Sequence, residues 1–487
     1  MKLNLKSLKW SAGRPVAIID EKLAEKYSIQ VDDRVIIKSG KKNIIAVIDT
    51  ASNLTKQNEI AVSKEILEKK FPKKVDVELA PKPESIFLIK KKIQGEELSQ
   101  EELKTIMRDI ASNALTESEI AYFISAVYIS KTSLKESIKM TKALLETGKK
   151  LPLDSSKVAD KHSIGGVPGR TTPIVVSICA AAGLIVPKTS SRAITSASGT
   201  ADSMESICDV NFSIPEMVRI IKKTNACLVW GGSLNLAPAD DKLIRVERLL
   251  NLDPEVQLLA SIIAKKLSVN AKYIIIDIPY GKNAKVTKSK AKHLERRFKR
   301  IGNYFKVHLK CFTKKTEQPL GNGIGPVLEI QDVLKILRRE KDAPSLLEKR
   351  SIELAACLLE LTGKTKKGTG EELAKQILDS KLALKKFAQI VKAQNGDINK
   401  KFKSAKFKKI LKSKTSGKVK EIKIKELNRI ARIAGCPGDK NSGLYLHKHL
   451  NEKVKKLDPL LTIFSESKVE LRDAINTYSK SQPIKIR

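Results

Sequence analysis

The sequence is poor in aromatic residues and in the patterns that hold metals or disulfides. Aromatic side chains make up 4% of the 487 residues, and none of the six cysteines lies in a C-x-x-C pair. A zinc site or a disulfide framework is therefore not expected. The apolar runs are far shorter than the roughly 20 residues that span a bilayer, and the N-terminus has no apolar signal segment. These absences predict a soluble, cytoplasmic protein without membrane contact.

Basic residues greatly outnumber acidic ones. Lys+Arg total 93 against 54 for Asp+Glu, which gives a formal net charge of +39. Clustered cations bind nucleic acids by neutralising phosphates. Here lysine is spread along the whole chain, and the densest basic stretches, Lys282–Lys315 and Lys400–Lys425, hold few aromatic rings for base stacking. The pattern favours solvated lysine-rich surfaces over nucleic-acid binding, and the charge would also attract a small anionic substrate.

Hydrophobic periodicity changes several times along the chain. Short β-branched runs dominate the first 82 residues, and apolar residues then recur at three- and four-residue spacing up to about residue 149. The run AKYIIIDIPYG from Ala271 is typical of a strand that is buried on both faces. We predict a multidomain α/β protein with a β-rich N-terminal domain (1–83), a helical domain (84–150, with a return near 240–267), a central α/β domain with a mixed sheet (151–340) and an α/β C-terminal domain (341–487).

A glycine-rich segment between a predicted strand and a predicted helix carries the clearest chemical signal. It reads DKHSIGGVPGRTTPIVVSICAAAGL from Asp160 to Leu184. Gly165, Gly166 and Gly169, between the strand and the helix, let backbone N–H groups approach an anion, and the helix N-terminus adds a positive dipole end. Lys161, Ser163 and Thr172 supply further donors. The spacing fits neither a Walker A loop nor the dinucleotide fingerprint. A purely structural turn is the alternative, but the density of donors favours phosphate binding.

A second donor-rich segment follows soon after the first. KTSSRAITSASGTAD, from Lys188 to Asp202, contains seven Ser or Thr residues within fifteen positions. Ser and Thr also favour turns and helix starts, so a capped polar loop is the alternative. Next to a predicted phosphate loop, this segment favours a second site for an oxyanion or for sugar hydroxyls.

The two segments resemble the thymidine/pyrimidine nucleoside phosphorylase family. Its signatures are a K-H-S-x-G-G-V-G-like loop and a later S-G-R-x-L-x-x-T-x-G-T segment. The sequence SSRAITS is similar to the archaeal branch, the AMP phosphorylases. VWGGSLNLAPADDKLIRVER from Val229, DIPYGKNAKV from Asp277 and the C-terminal stretch that begins IARIAGCPGD also resemble that branch. The resemblance covers nearly the whole chain.

The resemblance implies a reaction in which inorganic phosphate attacks C1′ of a nucleoside 5′-monophosphate and expels the base. AMP is the implied substrate, CMP and UMP are further candidates, and ribose 1,5-bisphosphate is the implied product. Neither a metal nor an organic cofactor is implied, because phosphate is itself the co-substrate. A homo-oligomer of two or more copies is implied as well. Because clefts often form at domain interfaces, we expect the substrate cleft between the helical and α/β parts.

The resemblance also implies roles for individual residues. Asp253 is implied as the general acid that protonates the leaving base, although Asp before Pro254 is also typical of a helix N-cap. The attacking phosphate is implied at Lys161, Ser163, Thr172, Ser190 and Thr200. The nucleotide is implied at Gly166, Ser191, Arg192, Ala193, Ile194, Thr195, Ser196, Thr200, Ser261 and Lys285.

Two other functions remain open at this point. One is phosphorolysis of unphosphorylated pyrimidine nucleosides, which the hydroxyl groups and Arg192 in SRAITS disfavour. The other is nucleic-acid binding by an inactive phosphorylase scaffold. It is motivated by the charge of +39 and by a loop that is one residue shorter between Gly169 and Arg170 than in archaeal relatives.

Overall fold

The computed structural model of the chain describes residues 1–8, 10–130, 133–153, 156, 158–193, 196–234, 236–250 and 252–487. The chain forms two compact units. The first comprises Met1–Gly148 and Ala237–Ala264, and the second Lys149–Leu236 and Lys265–Arg487. The predicted multidomain α/β class is confirmed. The boundaries of the four predicted domains stay a prediction. Within the described residues, no helix is both long and apolar enough to cross a membrane.

The N-terminal part of the first unit is a closed barrel of six strands. Its elements are β1 (Lys2–Ser7), β2 (Val16–Ile19), α1 (Glu21–Lys26), β3 (Arg34–Ser39), β4 (Lys42–Thr50), β5 (Glu59–Val62), α2 (Lys64–Leu67) and β6 (Lys74–Leu79). The strand order is β1-β5-β2-β4-β3-β6. Alternate β-branched side chains such as Val35 and Ile37 point inward and are fully buried, as the period of two requires.

Helices make up the remainder of the first unit. They include α3 (Ser85–Ile93), α4 (Gln100–Ser112), α5 (Glu117–Ile129) and α6 (Leu134–Glu146). A capping box begins α4, and another begins α5. In each, the hydroxyl of Ser99 or Thr116 accepts from the backbone N–H three residues on, and the glutamate at that position accepts from the backbone N–H of the same Ser or Thr. The apolar faces share one core with residues from 239 to 264.

From residue 149 onward strands and helices alternate along the chain, and they belong to the second unit except for Ala237–Ala264, which is part of the first. In chain order the next elements are β7 (Ala159–Ser163), α7 (Thr171–Ala181), β8 (Val186–Ser190), α8 (Thr200–Met204), α9 (Ile214–Thr224), β9 (Ala226–Trp230), α10 (Pro238–Leu250), α11 (Glu255–Ser268), β10 (Tyr273–Tyr280), α12 (Lys288–Tyr304) and β11 (His308–Lys315).

The strands β7 to β11 are all parallel where the structure describes them. They form a three-stranded sheet in the order β11-β10-β7 and a two-stranded sheet of β8 and β9. A parallel bridge between Val158 and Ile185 joins the two sheets. The expectation of a mixed central sheet is therefore wrong. A helix lies between each strand and the next along the chain, and a helical crossover brings the chain back in the same direction.

The rest of the second unit supplies helices that pack on the parallel strands and two further sheets, one of four strands and one of three. Its elements are β12 (Gly323–Ile324), α13 (Pro326–Arg338), α14 (Ser345–Leu361), α15 (Gly370–Asp379), α16 (Leu382–Ala393), β13 (Phe407–Lys412), β14 (Gly417–Ile422), α17 (Ile424–Ile433), β15 (Gly443–Leu446), β16 (Lys453–Val454), β17 (Pro459–Ser465), α18 (Lys468–Ser481) and β18 (Ile484–Ile486). Helices α13 to α16 share a core with α7, which is buried almost all round.

Candidate active site

The two donor-rich segments begin at the same edge of the parallel sheet. Ser163 ends β7 and is paired with Asp277 of β10, whereas Ser190 ends β8. Ser163 and Ser190 each lie five residues beyond the bridge between Val158 and Ile185, so they reach the same level. In α/β folds, ligands bind outside this carboxyl edge of the strands. The strand register therefore brings two residues predicted for the attacking phosphate to a typical ligand-binding edge.

Lys161 is a buried cation held against the N-terminus of α7. Its side-chain Nζ donates to Oγ1 of Thr171 at 2.8 Å and lies 3.3 Å from Oγ1 of Thr172, which it also bonds. Burial lowers the pKa of Lys161 to about 8, although the carboxylate of Asp277 opposes that shift. Lys161 and Thr172, both predicted for phosphate, thus lie together, and a helix N-terminus favours an anion there.

Two lysines lie close to the carboxylate of Asp160, and the Asp160 side chain is fully buried. Nζ of Lys266 donates to Oδ2 of Asp160 at 2.5 Å, and Nζ of Lys188 lies 3.5 Å from Oδ1. Burial lowers the pKa of Lys188 well below its usual value, with Asp160 opposing. Burial also lowers the pKa of His162 well below its usual value, and the neighbouring Lys266 adds to the effect. His162 is therefore neutral at pH 7.

Sequence reasoning did not assign a role to Asp160 or Lys266. Asp160 begins the glycine-rich segment, and only that position singles it out in the sequence. No sequence signal distinguishes Lys266 from its neighbour Lys265, because lysine is so common in this chain.

The loop between β7 and α7 depends on glycine. Gly165, Gly166 and Gly169 have φ values of +84°, +90° and +113°, which favour glycine. A Cβ on Gly169 would lie 2.9 Å from the backbone N of Gly321, and a Cβ on Gly166 would lie 3.1 Å from Cβ of Lys285. Gly166 and Lys285, both predicted for the nucleotide, are therefore neighbours.

Arg170, which follows this loop, is paired with a buried carboxylate that sequence reasoning missed. Its Nη2 donates to Oε1 of Glu329 at 3.0 Å, and its Nε lies 2.8 Å from Oε2. The backbone N–H of Gly169 also donates to Oε1, at 3.3 Å. Oε2 accepts from the hydroxyl of Ser203 at 3.0 Å. Glu329 lies in the first turn of α13, and nothing in its sequence surroundings marks it.

Arg192, in the second segment, is held by acidic side chains. Its two terminal nitrogens donate to the two carboxylate oxygens of Glu205, each at 2.8 Å. Nη1 also donates to Asp202 at 3.2 Å, and the guanidinium lies 4.9 Å from the ring centroid of Trp230. The Arg192 side chain holds the pKa of Glu205 down at about 2. The backbone N–H of Ala193 donates to Asp202 at 2.7 Å.

The other predicted residues of this segment differ in their surroundings. The Oγ atom of Ser190 is buried, and it neither donates nor accepts a hydrogen bond within the described residues. Ser191 is exposed, and the hydroxyl of Ser196 donates to the carbonyl of Ser198 at 2.5 Å. Thr200 is the first residue of α8. Ile194 and Thr195, also predicted for the nucleotide, lie outside the described residues.

Asp253 and Ser261 belong to the first unit. The hydroxyl of Ser261 donates to Oδ2 of Asp240 at 2.8 Å, and Gln257 donates to Oδ1 of the same carboxylate. Asp253 is exposed and lies two residues before α11 begins, so that Pro254 directly precedes the helix.

Comparisons with known proteins bear on this site. Models of the helical bundle domain and of the a/b domain of the glycosyl transferase family match residues 87–148 and 155–278. A model of the pyrimidine nucleoside phosphorylase C-terminal domain matches residues 418–485. The chain is 42% identical to the AMP phosphorylase of Thermococcus kodakarensis, over 100% of this chain and 98% of that protein. The chain belongs to the AMP phosphorylase family.

Other members of the AMP phosphorylase family match over a similar length. The protein from Pyrococcus furiosus is 42% identical over 100% of this chain and 98% of its own. The protein from Methanococcus aeolicus is 40% identical over 99% of this chain and 97% of its own. The fold is also similar to that of anthranilate phosphoribosyltransferase from Thermus thermophilus. That structure has a TM-score of 0.52 and 17% identity, and the match covers 63% of this chain and 99% of that chain.

Proposed function

We propose that the chain catalyses phosphorolysis of AMP to adenine and ribose 1,5-bisphosphate. An oxygen of inorganic phosphate forms a bond to C1′ while the bond from C1′ to the base nitrogen breaks. The electron pair leaves with the base, which takes up a proton. The observation that carries this proposal is the buried ammonium group of Lys161 on the hydroxyls that open α7. In a chain of this family, that arrangement suits a phosphate dianion.

The attacking phosphate is proposed to lie at the carboxyl edge of the sheet. Lys161 supplies the charge, and the buried hydroxyl of Ser190, which has no hydrogen-bond partner among the described residues, supplies a donor. A buried polar group without a partner costs free energy, and a bound anion would remove that cost. The complete proposed set is Lys161, Ser163, Thr172, Ser190 and Thr200.

The nucleotide is proposed to lie against the second segment. Arg192 is fixed by Glu205, yet 37% of its side chain remains exposed, so part of the cation stays open to a 5′-phosphate. The free nucleoside lacks that phosphate, so this residue favours AMP over nucleosides. The complete proposed set is Gly166, Ser191, Arg192, Ala193, Ile194, Thr195, Ser196, Thr200, Ser261 and Lys285.

The decisive assay measures release of free base from AMP with and without inorganic phosphate. CMP, UMP and thymidine are assayed in parallel, and each reaction is repeated with EDTA. We expect adenine release that requires phosphate and persists with EDTA, because no metal or organic cofactor takes part in the proposed reaction. Release from thymidine but from none of the monophosphates would contradict the proposal.

We also propose that the enzyme acts in the cytoplasm and that it is an assembly of two or more copies. Light scattering, which measures the mass of the particle in solution, tests the number of copies.

Asp253 is proposed as the acid that protonates the departing base. Asp253→Asn keeps the size of the side chain and removes the transferable proton. We expect kcat to fall by roughly 10²–10⁴-fold, the usual range for loss of an acid–base group. The dissociation constant for AMP and the Tm should stay close to those of the parent. A fully active Asn variant would remove Asp253 from the mechanism.

A further inference from the structure

We infer that Glu329 is a positioning residue that holds the two donor-rich segments in fixed relation to each other. The inference rests on the proposed function, because it assigns those segments to phosphate and to AMP. Glu329 lies in α13, far along the chain from both segments, and only 1% of its surface is exposed. It is therefore buried among the groups that it contacts and has no access to bulk solvent.

The contacts of Glu329 divide between the two segments. On the first segment it contacts Gly169 and Arg170, as described above. At the end of the second it accepts from the hydroxyl of Ser203, the residue that directly follows Asp202. That hydroxyl lies 3.1 Å from the carbonyl oxygen of Gly199 and 2.9 Å from the hydroxyl of Ser198. One carboxylate thus connects the end of the phosphate loop to the turn that precedes Thr200.

The surroundings require an acceptor at both oxygens. An ionised carboxylate offers about four acceptor positions and no donor. Its four neighbours here are two guanidinium nitrogens, one backbone N–H and one hydroxyl. In a glutamine, an NH₂ group would replace one of the two carboxylate oxygens. The neighbours of that atom would then face a donor, and most of those neighbours can only donate. The shape would be kept while the attraction at that oxygen became repulsion.

Precise positioning matters because binding and catalytic groups must stay within about 0.5 Å of their working geometry. If Glu329 sets this spacing, its loss weakens binding of both substrates at once. If Glu329 only stabilises the second unit, its loss lowers the Tm and leaves binding below the melting range unchanged. The two roles therefore differ in a measurable way.

The test compares Glu329→Gln with the full-length parent. We expect the dissociation constants for inorganic phosphate and for AMP, measured by calorimetry, each to rise at least tenfold, and the apparent KM values to follow. Glu136→Gln is the matched control, because Glu136 is also a buried carboxylate in an ion pair, with Lys92 of the first unit. This control should lower the Tm and leave both dissociation constants unchanged. A Glu329→Gln protein that binds both ligands like the parent would overturn the inference.

Ser203→Ala provides a milder variant if Glu329→Gln does not fold. It removes the hydroxyl that contacts Glu329, Ser198 and Gly199, and it leaves the contacts of Glu329 with the first segment in place. We therefore expect the dissociation constant for AMP to rise more than that for phosphate. If both dissociation constants stay equal to those of the parent, the inference is again overturned. Calorimetry reports binding even without turnover. A protein that binds both ligands, responds to these variants and releases no base would therefore contradict the proposed function alone.

Discussion

Single residues at the carboxyl edge of the sheet carry the proposed chemistry, and their protonation states follow from burial. Lys161 is the clearest case, since its ammonium group is removed from water and is held by two hydroxyls. His162 is neutral for the same reason, so it adds no charge to the site at pH 7. The positive charge proposed for the attacking phosphate therefore depends on a buried lysine, whose protonation is sensitive to pH.

The residue-scale prediction is a loss of phosphate affinity in mildly alkaline solution. Burial lowers the pKa of Lys161 to about 8, so the free enzyme loses this positive charge as the pH rises through about 8. Phosphate is already a dianion there, and its own ionisation does not weaken binding. We expect kcat/KM for phosphate to fall above pH 8, because this ratio reports groups of the free enzyme.

Lys161→Arg tests the assignment of that fall, because arginine keeps its charge throughout the range. The profiles of kcat/KM against pH are to be measured from pH 6.5 to 9.5. The variant should have a lower but flatter profile above pH 8. An identical decline in parent and variant would show that another group titrates.

Among the elements, the loop between β7 and α7 is the one whose shape is least tolerant of change. Its glycines have positive φ values, and the loop packs closely on the segment before β12. Gly169→Ala would force a Cβ to within 2.9 Å of the backbone at Gly321 and of the side chain of Leu320. We expect the KM for phosphate to rise at least tenfold and the Tm to fall.

Gly40→Ala is the matched control for the backbone conformation. Gly40 has a φ of +55°, and a Cβ there would meet nothing within 4 Å. This variant therefore carries the conformational cost of about 1–2 kcal/mol without a steric clash. It should lower the Tm and leave the KM for phosphate unchanged. Equal effects of the two variants on that KM would contradict the role of the loop packing.

At the scale of the whole molecule, the charge of +39 bears on how anionic substrates reach the site. The Debye length falls from about 10 Å at 0.1 M salt to about 3 Å at 1 M. We expect kcat/KM for AMP to fall several-fold over this range, while kcat at saturation changes less than twofold. Comparing KCl with potassium acetate separates screening from competition by a particular anion. A salt-independent kcat/KM would show that the charge has no part in substrate capture.

Local patterns in the sequence were sufficient to predict many elements. The β-branched runs of the first 82 residues predicted a β-rich domain, where the structure has the strands β1 to β6, and the apolar run from Ala271 predicted β10. These predictions are confirmed because side-chain periodicity and backbone preference act within a few residues. The same patterns contain no information on strand order, which explains why a mixed sheet was expected and a parallel one is found.

The two donor-rich segments and the family are recognisable without a structure, because both are encoded in consecutive residues. Only the tertiary structure revealed the partners of those segments. Asp160 and Lys266 are 106 positions apart, and Arg170 and Glu329 are 159 apart. The roles of the predicted site residues stay predictions that the experiments above test. Contacts over such separations depend on how strands and helices pack, and neither spacing nor composition specifies which buried charge will face another.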